Sequence, residues 1–141
     1  MNQETSPASL YAGLVGAVLV VAGIIGFFYS SSFGSPGNTD DVFGILTVNA
    51  WHNIVHLATG ALGVLAFFAG ARASRNYAYG LGVVYIVVAI WGLIIGSGDS
   101  ILGFIPINTE DNWLHVILGV VGLVAGAASG ETGRSPAPAG A

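Results

Sequence analysis

Three histidines, His52, His56 and His115, are the side chains of this sequence best suited to chemistry, and their neighbours repeat in order. Asn49, Asn53, His56, Gly60 and Gly63 follow one another at intervals of four, three, four and three. Asn108, Asn112, His115, Gly119 and Gly122 repeat that spacing 59 residues on, from His56 to His115. Such spacing draws a single seam down one face of a helix. Two imidazoles at one depth on opposite helices suit the axial ligands of a b-type haem or another tetrapyrrole, with Asn53 and Asn112 supporting them. Gly60 and Gly119, one turn deeper, would leave room for a flat macrocycle. His52 and His56 stand one helical turn apart, and with Asp111 they form a second, weaker candidate set for a divalent metal.

The same residues also serve a structural role, in which each His and Asn donates across a bundle and the glycines let backbones approach. This role, in a structural or accessory membrane subunit, is the leading reading of the seam. A third reading is a proton-linked or small-solute conducting site, with histidines that reach water and titrate near neutral pH.

The seam needs long helices in a solvent that is not water. Hydrophobic residues make up 54% of the 141 positions and charged ones only 7%, with three Arg, no Lys and seven acids. Mean hydropathy is +0.79. An ordinary soluble surface needs about a quarter of its residues ionic, so lipid must cover most of this one. Four uncharged apolar stretches, 10–29, 48–71, 77–96 and 112–129, are each close to the roughly 20 residues that cross a bilayer core as a helix. Their length excludes the short alternating strands of a membrane barrel. The expected fold is an all-α integral membrane protein, a four-transmembrane-helix bundle. Residues 1–9 form a short cytoplasmic N-terminus and 130–141, rich in Pro, Gly, Ala and Ser, a disordered cytoplasmic tail.

The first and third stretches also align, 66 residues apart, pairing Tyr11 with Tyr77, Gly16 with Gly82 and Gly26 with Gly92. Each half thus reads helix, loop, helix. Two spans per half bring both halves in from the same side, so the repeats are parallel and related by a pseudo-twofold along the membrane normal. Asn49 and Asn108 are expected to cap the second and fourth helices. His52, three positions past its cap, would act as a neutral acceptor there, and Asp111 as a favourable negative charge. The histidines then lie about 10 Å below the caps at 1.5 Å per residue.

Two of the three Arg, Arg72 and Arg75, fall in the connection 70–76, expected to be a tight turn, while 30–47 and 97–111 hold only acids. The positive-inside rule places 70–76 and both termini in the cytoplasm. Several classes are excluded. No cysteine means no disulfide, thiolate site or thiol nucleophile. No basic cluster argues against nucleic acid. No Ser stands in a Gly-x-Ser-x-Gly context, and the first span carries no acid of the kind small multidrug transporters use. Enzymatic activity is not expected. The expected partners are the lipid bilayer and, from glycine-rich helix faces, a second copy or a larger membrane complex.

The string Asn49-Ala50-Trp51-His52-Asn53-Ile54-Val55-His56-Leu57, echoed by Asn112-Trp113-Leu114-His115, resembles a group of small four-helix membrane proteins of actinobacterial and cyanobacterial type. That group is known only as a domain of unknown function. The resemblance spans about Tyr11 to Ala128 and implies a multi-pass protein of the bacterial inner membrane without naming an activity. Asp111 stands where the first half has His52, a departure between the halves at a polar position.

Overall fold

The computed structural model describes residues 5–130. Four long helices account for most of them: α1 (Pro7–Tyr29), α2 (Ala50–Ala69), α3 (Ala71–Ile95) and α4 (Thr109–Ala128). All four are long and apolar enough to cross a membrane. The expected tail from residue 131 onward lies outside the described residues.

Helix starts follow local capping chemistry. The Ser6 hydroxyl accepts from the Ser9 amide at 3.1 Å, and Pro7, which lacks a donor the first turn would not use, opens α1. Asn49 accepts from the His52 amide at 3.0 Å. Asn108 and Asp111 form a reciprocal capping box, each side chain accepting from the other's backbone amide. Between α2 and α3 the expected turn over 70–76 contracts to one residue. Gly70, at φ 106°, breaks the helix alone, and Arg72 and Arg75 lie in the first turns of α3. Only a residue without Cβ enters that region without strain.

The two remaining connections carry short β-hairpins, which the sequence reading treated as loops. Strands β1 (Asp40–Val42) and β2 (Leu46–Val48) pair antiparallel, as do β3 (Ser100–Ile101) and β4 (Ile105–Pro106). Both turn through a residue pair with positive φ, Phe43 (53°) with Gly44 (70°) and Leu102 (55°) with Gly103 (78°). The hairpins close one end of the bundle.

Burial is inverted relative to a soluble domain. Phe28, Phe68 and Ile94 are more than three-quarters exposed, whereas Asn49, Asn53 and Ser74 are fully buried. Large apolar side chains face outward, and small or polar ones face in, as expected where lipid is the solvent. This is a multi-pass membrane protein.

Contacts within and between the halves come in matching pairs. A Cβ on Gly16 would fall 2.7 Å from the Val64 amide nitrogen, and one on Gly82 3.0 Å from that of Leu123, so α1 meets α2 and α3 meets α4 at backbone distance. Across the halves, the Tyr11 hydroxyl donates to the Leu118 carbonyl at 2.9 Å and the Tyr77 hydroxyl to that of Thr59 at 3.0 Å. A core of Ala8, Tyr11, Leu19, Ala78, Leu81 and Tyr85 fills the space between.

Candidate functional site

Above that core, at the hairpin end, the seam residues come together. Asn49 and Asn108 each cap their own helix and also donate into the opposite hairpin. The Asn49 amide reaches the Phe104 carbonyl and the Asn108 amide the Ile45 carbonyl, both at 2.6 Å. Asn49 also donates to Pro36 and Asn108 to the Thr47 hydroxyl. One turn below, Asn53 donates to the Ser30 carbonyl at 2.9 Å. Its amide oxygen, and that of Asn112, press on Gly26 and Gly92 where a Cβ would stand. The asparagines therefore serve packing and helix register.

The histidines do something else. One ring nitrogen from each of His52, His56 and His115 lies within 4.8 Å of the other two. His52 and His115 are buried at 2% and 6% exposure, while His56 is half-buried. The His52 and His56 ring centroids are 4.5 Å apart and those of His52 and His115 6.4 Å. The His52 Nδ1–H donates to the Thr47 carbonyl at 3.0 Å. This corrects the expectation that His52 serves as an acceptor at the helix start, since a carbonyl takes only a donor, and the ring also faces the Pro106 carbonyl. Outer partners of this kind orient a ligating imidazole in metal sites. His115 stacks on Tyr85 at 4.9 Å and 25°, and its Nδ1 is buried without a hydrogen-bond partner.

Three members of the expected sets are placed differently. Asp111 is not in the cluster, because its carboxylate closes the α4 capping box and faces the Thr47 amide. It is joined to His52 through that one residue, whose carbonyl the imidazole holds. Gly60 and Gly119 open no slot for a macrocycle. A Cβ on Gly60 would strike the α1 backbone, 2.6 Å from the Val20 nitrogen, and one on Gly119 would strike Ile86 at 2.8 Å. The space bounded by the three histidines, Val88, Ile101 and Ile105 is a cavity of about 60 Å³, too small for a tetrapyrrole. As packed, the space between His56 and His115 does not fit a haem.

Sequence reasoning missed Tyr85. The aligned position 66 residues earlier is Leu19, also buried, so the signal was a polar side chain present in one half alone. His52 likewise faces a different residue type, Asp111, at the matching position. Apart from His56 and His115, the buried polar groups on which the halves agree cap, pack or cross-link; His52 in the first half and Tyr85 in the second have no like counterpart, and both touch the cluster.

A four-span bundle capped by two hairpins, with a buried polar cluster beneath them, is the class these features define. The family described as domain of unknown function (DUF4383) matches residues 9–128, and the chain belongs to it. No curated protein and no solved structure matches significantly.

Proposed function

We propose that this protein is a metal-binding accessory subunit of a bacterial inner membrane, holding one late first-row divalent cation between His52, His56 and His115. The observation that carries the reading is the convergence of three imidazoles from α2 and α4 to within 4.8 Å. One of them is oriented by a backbone carbonyl and another presents a buried, unpartnered nitrogen. A donor set of neutral nitrogens without thiolate suits Zn²⁺ or Cu²⁺ and disfavours Ca²⁺ or Mg²⁺, which take oxygen. Ligands at 2.0–2.1 Å from a tetrahedral centre stand about 3.3 Å apart, so rotation of the rings would close the remaining gap. Three protein ligands leave a fourth position for an exogenous group.

The halves are parallel repeats about a pseudo-twofold, a reading supported by the paired Asn49–Phe104 and Asn108–Ile45 bonds and the paired tyrosine bonds. With Arg72 and Arg75 at the opposite end from the hairpins, the positive-inside rule puts the hairpins and the cluster on the periplasmic side.

The test is metal content after stripping with chelator and reloading the full chain in detergent with Zn²⁺ or Cu²⁺. One tightly held ion per chain is expected, lost in His52→Ala and His115→Ala but kept in Asn53→Ser. Equal uptake by wild type and by both histidine variants would overturn the reading.

A further inference from the structure

We infer that the histidine cluster takes a neutral, membrane-soluble ligand with an oxygen head group, of the quinone class, which enters sideways from the bilayer through a recess between α1 and the first hairpin. This rests on the metal reading above for its fourth coordination position, and on an independent cavity for its route.

The recess measures about 230 Å³ and is walled by Val18, Ala22, Ile25, Leu46 and Val48, with His56 its only polar side chain. His56 also lines the smaller cavity that holds His52 and His115. One imidazole therefore forms the partition between the recess and the cluster, which accounts for its being half-buried while its two companions are closed in. The small cavity repeats the recess in the second half: Val88, Ile101, Ile105, Ile107 and His115 stand where the first half has Ala22, Val42, Leu46, Val48 and His56. At the Ala22 position the second half carries a larger side chain, Val88, and its space is the smaller.

The lining decides what can enter. It contains no acid, Lys or Arg, so a hydrated ion would have to shed its water along apolar walls before it reached His56, and an anionic head group would find no charged partner. An acyl chain would fill the walls but leave the imidazole unanswered. A ring bearing a carbonyl or phenolic oxygen satisfies both, packing on Val18, Ala22 and Val48 while its oxygen meets His56 or the cation behind it. The volume lies just below the range for whole drug-sized ligands, which fits a ring-sized head group whose tail stays in the bilayer.

The experiment uses the full chain in lipid nanodiscs, zinc-loaded and chelator-stripped, with a 1,4-naphthoquinone probe carrying a diazirine on its alkyl tail. Labelled peptides are mapped by mass spectrometry, and zinc is counted on the same samples. Saturable labelling within residues 18–25 and 42–48 is expected, weakened about tenfold or more in apparent affinity, or roughly 1.4 kcal/mol, by Ala22→Phe with zinc content unchanged. Val21→Trp, at a lipid-exposed position of the recess wall, tests the same point should Ala22→Phe not fold. Labelling that does not saturate, or that neither substitution weakens, overturns the lateral ligand even where zinc binds. Saturable labelling in a chain that never takes up zinc overturns the metal reading instead and leaves His56 itself as the head-group partner.

Discussion

Replacing Asn49 tests how the hairpins are held over the cluster. Its side chain makes three hydrogen bonds from a fully buried position: it accepts from the His52 amide at 3.0 Å and donates to Pro36 at 2.9 Å and Phe104 at 2.6 Å. The cap contributes about 1 kcal/mol, and each donation to a buried carbonyl about 1 kcal/mol more. Asn49→Ala should therefore cost about 3 kcal/mol. Asn49→Ser keeps a cap acceptor but cannot span to the opposite hairpin, so it should cost about 2 kcal/mol by the same accounting. Trp51 reports the event directly, since its ring packs on Phe33 at 5.0 Å and Phe104 at 5.5 Å. Equilibrium unfolding in mixed micelles, followed by Trp51 fluorescence in a background of Trp91→Phe and Trp113→Phe, gives both differences. If Asn49→Ser unfolds within about 0.5 kcal/mol of wild type, the range of an uninvolved surface change, the cross-hairpin bonds do not bear on stability and the reasoning fails.

Gly26→Ala should destabilise by about 1–3 kcal/mol, because its methyl would collide with the Asn53 amide oxygen. Gly80→Ala meets open space within α3 and should stabilise by up to about 1 kcal/mol; thermal melts of the pair in one detergent check both signs. Tyr11→Phe and Tyr77→Phe should each cost about 1 kcal/mol for one lost hydrogen bond to a carbonyl, and similar unfolding midpoints for the two variants are expected. Zinc bound at the cluster should be released on strong acidification, because protons compete for the imidazole lone pairs that the metal needs; an affinity that does not fall as the pH is lowered, measured by equilibrium dialysis, would count against histidine ligation. The chain has no cysteine, so Asp99→Cys and Arg72→Cys can be labelled one at a time in intact cells with an impermeant maleimide. Only the Asp99→Cys variant should react before permeabilisation if the hairpins face outward.

Local signals in the chain were sufficient for the spans and the caps. Apolar runs near 20 residues specify membrane helices because unpaired backbone groups are costly in lipid, and Asn49 and Asn108 announce helix starts because the cap bond forms within three residues. The asparagine, histidine and glycine seam was legible for the same reason: its period is that of the helix. The hairpins were not. Phe43-Gly44 and Leu102-Gly103 carry none of the usual asparagine or aspartate turn residues, and their strands of two or three residues are too short to show alternation.

What only the tertiary structure decided is which seam residues meet. A one-dimensional spacing equates His56 with His115 and sets His52 beside Asp111, but it carries no information on how far apart two helices lie. Packing brought His52 to the other two histidines and filled Gly60 and Gly119 with neighbouring atoms, where the alternative tetrapyrrole reading needed room. Helix identity arises from contacts between residues three or four apart, whereas a site arises from distances between helices. Those distances are set by side-chain volume at every crossing, and no single segment of the chain contains them.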